Sequence, residues 1–113
     1  MKIPISFYLF GQEIMVRFSG NLETADAFAN LGATDPLNNE ITLLFSVNGT
    51  KINNNIMSQV FFHELVHHVL FLIHREDLSD DETFVDLFGS LLHQAITTMK
   101  YEDEVESGAD VPR

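Results

Sequence analysis

A small α+β domain, a sheet followed by two helices, is predicted by three patterns in this 113-residue chain. Segments within residues 3–46 alternate apolar and polar side chains with period two. Residues 55–74 are apolar on nearly every side. Residues 80–99 repeat apolar positions with a helical period. The length suits one domain, and 45% apolar residues with ten Phe supply a core for it.

Ile3, Ile5, Phe7 and Leu9 alternate with Pro4, Ser6, Tyr8 and Phe10, which is a strand pattern. Phe10-Gly11-Gln12-Glu13 gives a turn, and Ile14, Val16 and Phe18 then alternate with Met15, Arg17 and Ser19, completing a hairpin. Ser19 to Asn39, rich in Gly, Asn, Asp and Ala and containing Pro36, reads as a connecting loop with one helical turn around Thr24 to Asn30. Glu40 to Ser46 is a third strand, and Asn48-Gly49-Thr50 turns out of it.

Asn53-Asn54-Asn55 supplies an N-cap for a helix over about residues 55–74. His74 to Asp81 is a polar link to a second helix over about 80–99, whose apolar stripe is Phe84, Leu87, Phe88, Leu91 and Leu92. The folded domain spans residues 1–100. From Tyr101 to Arg113 the chain is acidic and patternless, a solvated tail.

The first of these helices carries His63-Glu64-Leu65-Val66-His67, an H-E-x-x-H motif. Histidines at i and i+4 lie one above the other on a helical face, where both imidazoles can hold one metal ion. Glu64 points to the side, too far round to be a ligand but within reach of an activated water, as a general base must be. Val60, Phe61, Phe62, Leu65, Val66, Val69 and Leu70 surround the motif, so the helix belongs in the core and takes the motif inside with it. Burying three such groups without partners is costly, and a metal is the obvious partner. The plainer reading is a pair of hydrogen-bonded core histidines beside a solvated Glu64. His68 lies about 100° round the helix from His67 and is expected to pack or hydrogen-bond rather than join the same ion.

In the second helix Glu82 and Asp86 are four residues apart and share a face. With E-x-x-x-D following H-E-x-x-H, the chain resembles the gluzincins, the thermolysin-like zinc peptidases. In size and layout it is most similar to the minigluzincins and to small zincin-like proteins of phages and bacteria. The resemblance implies a minimal zincin-like fold, a sheet of three or more strands packed on an active-site helix and a following glutamate helix. It implies one zinc ion held by His63, His67 and Glu82, with Asp86 orienting His63 through its second ring nitrogen.

Ser79-Asp80-Asp81-Glu82 also fits an S-x-x-E capping box, which would fold Glu82 back onto the Ser79 amide. The two readings compete for one carboxylate. If the cap holds, Asp81 or Asp86 is the substitute ligand.

The activity implied is that of a zinc metallopeptidase of endopeptidase type, with Glu64 as general base and a peptide or protein as substrate. By the same resemblance the strand before the motif helix, Glu40 to Ser46, forms the cleft rim and pairs with extended substrate. In some minigluzincins a C-terminal segment blocks the cleft, a role open to the acidic tail here. A downstream His or Tyr stabilises the oxyanion in thermolysin-like enzymes, and Tyr101, His93 and His74 are the candidates. His93 shares a face with Glu82, Asp86 and Gly89 but sits roughly 16 Å along the axis from Glu82, which favours packing. Gly89 on that face would let the two helices approach closely. The alternative function is a non-catalytic or autoinhibited zinc-binding module acting as a regulatory or structural partner. A metal-free helical interaction domain is a weaker rival.

The formal charge of -11, with only six Lys and Arg, argues against nucleic acid and anionic membranes as partners. The lack of cysteine excludes disulfides and thiolate zinc sites. Residues 1–18 carry one early cation, Lys2, are interrupted by Gln12 and Glu13, and end without a small-residue cleavage site, unlike a signal peptide. No apolar run reaches the ~18 residues of a membrane span. A soluble, cytoplasmic protein is the expectation.

Overall fold

The computed structural model describes residues 1–20 and 31–102. The expected helical turn around Thr24 to Asn30 and nearly all of the acidic tail lie outside the described residues. The fold is α+β, with a four-stranded sheet, a small second hairpin and three helices among the described residues.

Strands β1 (Ser6–Leu9) and β2 (Gln12–Ser19) form the expected hairpin, with Leu9 opposite Gln12. The connection is the two residues Phe10 and Gly11, both at positive φ (49° and 74°). That geometry matches the right-handed twist of paired strands. Strand β4 (Glu40–Leu44) lies parallel to β2, with Val16 opposite Ile41 and Phe18 opposite Leu43. Ile14, Val16, Ile41 and Leu43 are buried on one face of the sheet.

One strand falls inside the stretch expected to be a loop. Residues Gly32–Asp35 form β3, antiparallel to β4, so the sheet order is β1-β2-β4-β3. The sequence Gly-Ala-Thr-Asp has none of the large alternating apolar residues that announce a strand. It is extended because β4 offers it a ladder, closed by the Asp35–Asn38 turn, where Asn38 Nδ2 donates to Asp35 Oδ2 at 2.8 Å. Strands β5 (Ser46–Val47) and β6 (Thr50–Lys51) flank the expected Asn48-Gly49 turn, again with both turn residues at positive φ.

Helix α1 (Asn54–Leu72) begins at Asn53, whose side chain accepts from the Ile56 amide at 2.8 Å. Its all-round apolar character has a structural cause, since it packs on both sides. Phe61 and Phe62 join the sheet residues Ile14, Val16, Ile41 and Leu43 in one cluster. Val66 and Leu70 join Val85 in a second.

The polar link contains a short helix, α2 (Glu76–Ser79), before α3 (Glu82–Thr97). The face of α3 turned to the core is Val85, Gly89, Leu92 and His93; of the expected stripe Phe84 and Leu92 pack against the core, while Leu87, Phe88 and Leu91 are exposed. Gly89 sets that orientation. A Cβ there would lie 3.3 Å from both the amide nitrogen and the Cα of His63, so only glycine lets the helices close at this level without displacement. No helix among the described residues is long and apolar enough to cross a membrane.

Candidate metal centre

The motif residues occupy the middle of α1, and their three side chains diverge by helical geometry. His63 and His67 face α3, while Glu64 faces the sheet and is buried. Because Gly89 admits α3 so closely, the first turn of that helix lies over the two imidazoles. His63 Nε2 is 3.3 Å from Oε2 of Glu82, and His67 Nε2 is 3.2 Å from Oε1 of the same carboxylate. The imidazole rings are 4.9 Å apart.

The second ring nitrogens are engaged from outside. His63 Nδ1 lies 2.8 Å from the Asp86 carboxylate, and His67 Nδ1 lies 2.7 Å from the Ser79 hydroxyl. With Nδ1–H donating to Asp86 and to Ser79, both Nε2 atoms present lone pairs on the side of Glu82.

This donor set fits a divalent cation such as zinc. Ligands at 2.0–2.2 Å in a tetrahedron stand about 3.4 Å from each other. These two nitrogen–oxygen separations are close to that, and all three donor atoms lie within 4.8 Å of one another. His63, His67 and Glu82 thus form a group that could hold a metal. Glu82 remains mostly exposed, so one side of the group is open to solvent.

The capping-box reading of Glu82 does not hold. The N-cap of α3 is Asp81, whose side chain accepts from the Phe84 amide at 3.1 Å. Ser79 instead ends α2 and points back to His67. It reaches that position because α1 stops sharply. The Arg75 amide donates to the Leu70 carbonyl and the His74 amide to the Phe71 carbonyl, around His74 at φ 60°. This closure of a helix end turns the chain at once into α2. Leu78 of that helix packs on the Val66–Leu70 cluster.

On the other side of α1, the Thr34 hydroxyl of β3 stands 2.8 Å from Glu64 Oε1. The strand comes this near because residue 32 is glycine. A Cβ there would be 2.6 Å from Val60 Cγ1 and 3.2 Å from Glu64 Cγ. The strand at the rim is therefore β3, not Glu40 to Ser46. Strand β4 is hydrogen-bonded between β2 and β3 and has no free edge to offer a peptide. The Leu44 amide donates to the Leu31 carbonyl, so the backbone groups of Leu31, Ala33 and Asp35 face β4 while those of Gly32 and Thr34 face outward. Among the described residues no strand pairs with that outer edge.

Thr34 and Ser79 were not legible as site residues. Thr34 sits in a segment without a strand pattern, and Ser79 carries a stronger local signal as a cap. His93 and His68 have packing roles. His93 Nε2 is 2.7 Å from Ser58 Oγ, which itself donates to the Asn55 carbonyl, and its ring meets Phe62 edge-on. His68 is fully buried, and neither ring nitrogen has a hydrogen-bond partner among the described residues. Tyr101 and His74 are both exposed. No family model, curated protein or solved structure matches this chain.

Proposed function

We propose that this protein is a zinc-dependent peptidase in which His63, His67 and Glu82 hold the ion and Glu64 is the general base. What supports the reading is one geometric fact. Two imidazoles with their outer nitrogens engaged converge on a single carboxylate, and the glutamate next to the first of them is buried beside a strand whose outer edge no described strand pairs with.

A zinc ion held there would acidify a bound water toward a pKa of ~7 and polarise a peptide carbonyl. Glu64 takes the proton of the attacking water and delivers it to the departing amine. Asp86 and Ser79 hold the imidazoles in the tautomer that offers Nε2. The outward backbone groups of Gly32 and Thr34 bind an extended peptide by strand addition, which aligns its carbonyl with the site.

The test is metal analysis of the purified, never-chelated protein, coupled to cleavage of a peptide library read by mass spectrometry. One equivalent of zinc and cleavage that disappears in Glu64→Gln are expected. Zinc without turnover on any substrate would favour the second reading, a non-catalytic module in which the same three ligands staple α1 to α3. The observation favouring that reading is that the three ligands come from two helices, so a bound ion would cross-link α1 to α3 and bind the folded chain alone.

A further inference from the structure

A cavity of about 240 Å³ opens directly beside the candidate centre. Glu64 and His67 form the wall it shares with the site. Phe71 of α1 and Pro36, just past β3, give it apolar surface, and Glu76 and Asp80 stand on the α2 side. No lysine or arginine among the described residues lines it. Arg75, the neighbour of Glu76, is held away by Asp77, to which both its Nε and its Nη2 donate at 2.9 Å. Glu76 and Asp80 therefore line the cavity with no ion pair to a Lys or Arg among the described residues.

We infer that this cavity receives a lysine or arginine side chain of the substrate, next to the bond to be cut. The inference rests on the peptidase reading and adds a substrate class to it. A methylene stem fits against Phe71 and Pro36 while its cationic head meets Glu76 and Asp80, the division of labour such side chains adopt at apolar surfaces with a polar rim. A leucine would bring no charge to meet the carboxylates, and a glutamate would be repelled by them. The net charge of -11 draws basic peptides toward the site over longer distances.

The test uses fluorescein-labelled heptapeptides that differ only in a central Lys, Arg, Leu or Glu. Binding is read by anisotropy on the full chain carrying Glu64→Gln and on the wild-type chain treated with a chelator. Cleavage is read separately on the untreated wild type. The Lys and Arg peptides are expected to bind about tenfold tighter than the Leu and Glu peptides, in keeping with one charged hydrogen bond gained.

Glu76→Gln/Asp80→Asn should abolish that preference. Ser90→Lys/Gln94→Lys, which adds the same two units of charge on the far half of α3, should keep it. Equal binding of the four peptides, no binding, or loss of the preference in both double variants overturns the inference. Preferential binding lost only in the first double variant, with no peptide cut, sustains the cavity and counts against the peptidase. Cleavage indifferent to Lys or Arg does the reverse.

Discussion

The Thr34 hydroxyl lies 2.8 Å from Oε1 of Glu64 and 3.0 Å from the carbonyl oxygen of the same residue. A hydroxyl has one proton to give, so it can donate to the carboxylate or to the carbonyl but not to both at once. With Glu64 ionised, Thr34 donates to Oε1. With Glu64 protonated, the hydroxyl can turn to the carbonyl and accept from the acid. One threonine can thus hold the glutamate in the same place through both protonation states that a general base must visit. Thr34→Val is expected to lower kcat roughly tenfold or more, the worth of a hydrogen bond to a charged group, with little change in KM. Thr34→Ser should restore most of it, and a serine variant as slow as the valine one would remove this role.

Glu64→Gln keeps shape and burial but cannot accept a proton. It should bind zinc as the wild type does and lose peptide cleavage by a factor of ~10² to 10⁴. Parallel metal analysis and single-substrate kinetics check both halves. Full activity in this variant would end the assignment of Glu64 as base.

Glu82→Ala should weaken zinc binding most, since it removes a donor. Asp86→Asn and Ser79→Ala should each weaken it by about 10- to 100-fold, because they release an imidazole rather than delete one. Competition against a chromophoric chelator gives the order. The serine prediction separates this geometry from a site built on the motif residues and Glu82 alone. Adding a chelator should also lower the melting temperature, since an ion held by these residues would bind only the folded chain.

Gly32→Ala should destabilise the fold by about 1–3 kcal/mol, as overpacking of a tight contact does. The new Cβ would sit 2.6 Å from Val60 Cγ1. Val60→Ala removes that obstacle, so the double variant should recover part of the loss relative to the sum of the singles. Denaturant unfolding followed by circular dichroism measures the coupling. Strict additivity would mean that the approach of β3 to α1 is not limited by this pair.

Burial holds the His68 imidazole below its usual pKa, with Asp35 opposing the shift only in part. Its folded pKa is lower than its unfolded one of about 6.5, so the unfolded chain takes up the proton first as pH falls. His68 therefore costs stability below pH ~6.5, increasingly until the folded pKa is reached, and contributes no such penalty at neutral pH. His68→Leu should stabilise the protein at all pH values by removing two buried nitrogens that have no partner among the described residues, with a larger gain at pH 5 than at pH 7.5. Melting curves of the two proteins across that range give the difference. A gain independent of pH would show that His68 is not the group responsible.

Much of the scaffold was legible because it is written in local chemistry. The Asn48-Gly49 turn follows from residues that tolerate positive φ, and α1 starts at Asn53 because an amide side chain can close the first turn. The apolar run around His63 required a helix packed on two sides. Strand β3 was hidden, since its extended state comes from pairing with β4 and not from Gly-Ala-Thr-Asp itself. The buried face of α3 was legible only at Phe84 and Leu92, for a related reason. Counting apolar residues favours Leu87, Phe88 and Leu91, but the helix turns its glycine to the neighbour it must touch.

The local order of residues determined that His63 and His67 share a helical face with Glu64 beside them, since 3.6 residues per turn leaves no other arrangement. It also placed Glu82 and Asp86 together. Whether Glu82 capped its own helix or crossed to the histidines was undetermined, because both outcomes use the same carboxylate. Tertiary structure decided it. Asp81 took the cap, Gly89 let α3 rest on the His63 backbone, and the sharp end of α1 returned Ser79 to His67. Contacts between residues 12 to 30 positions apart depend on how elements pack, and no local periodicity encodes that.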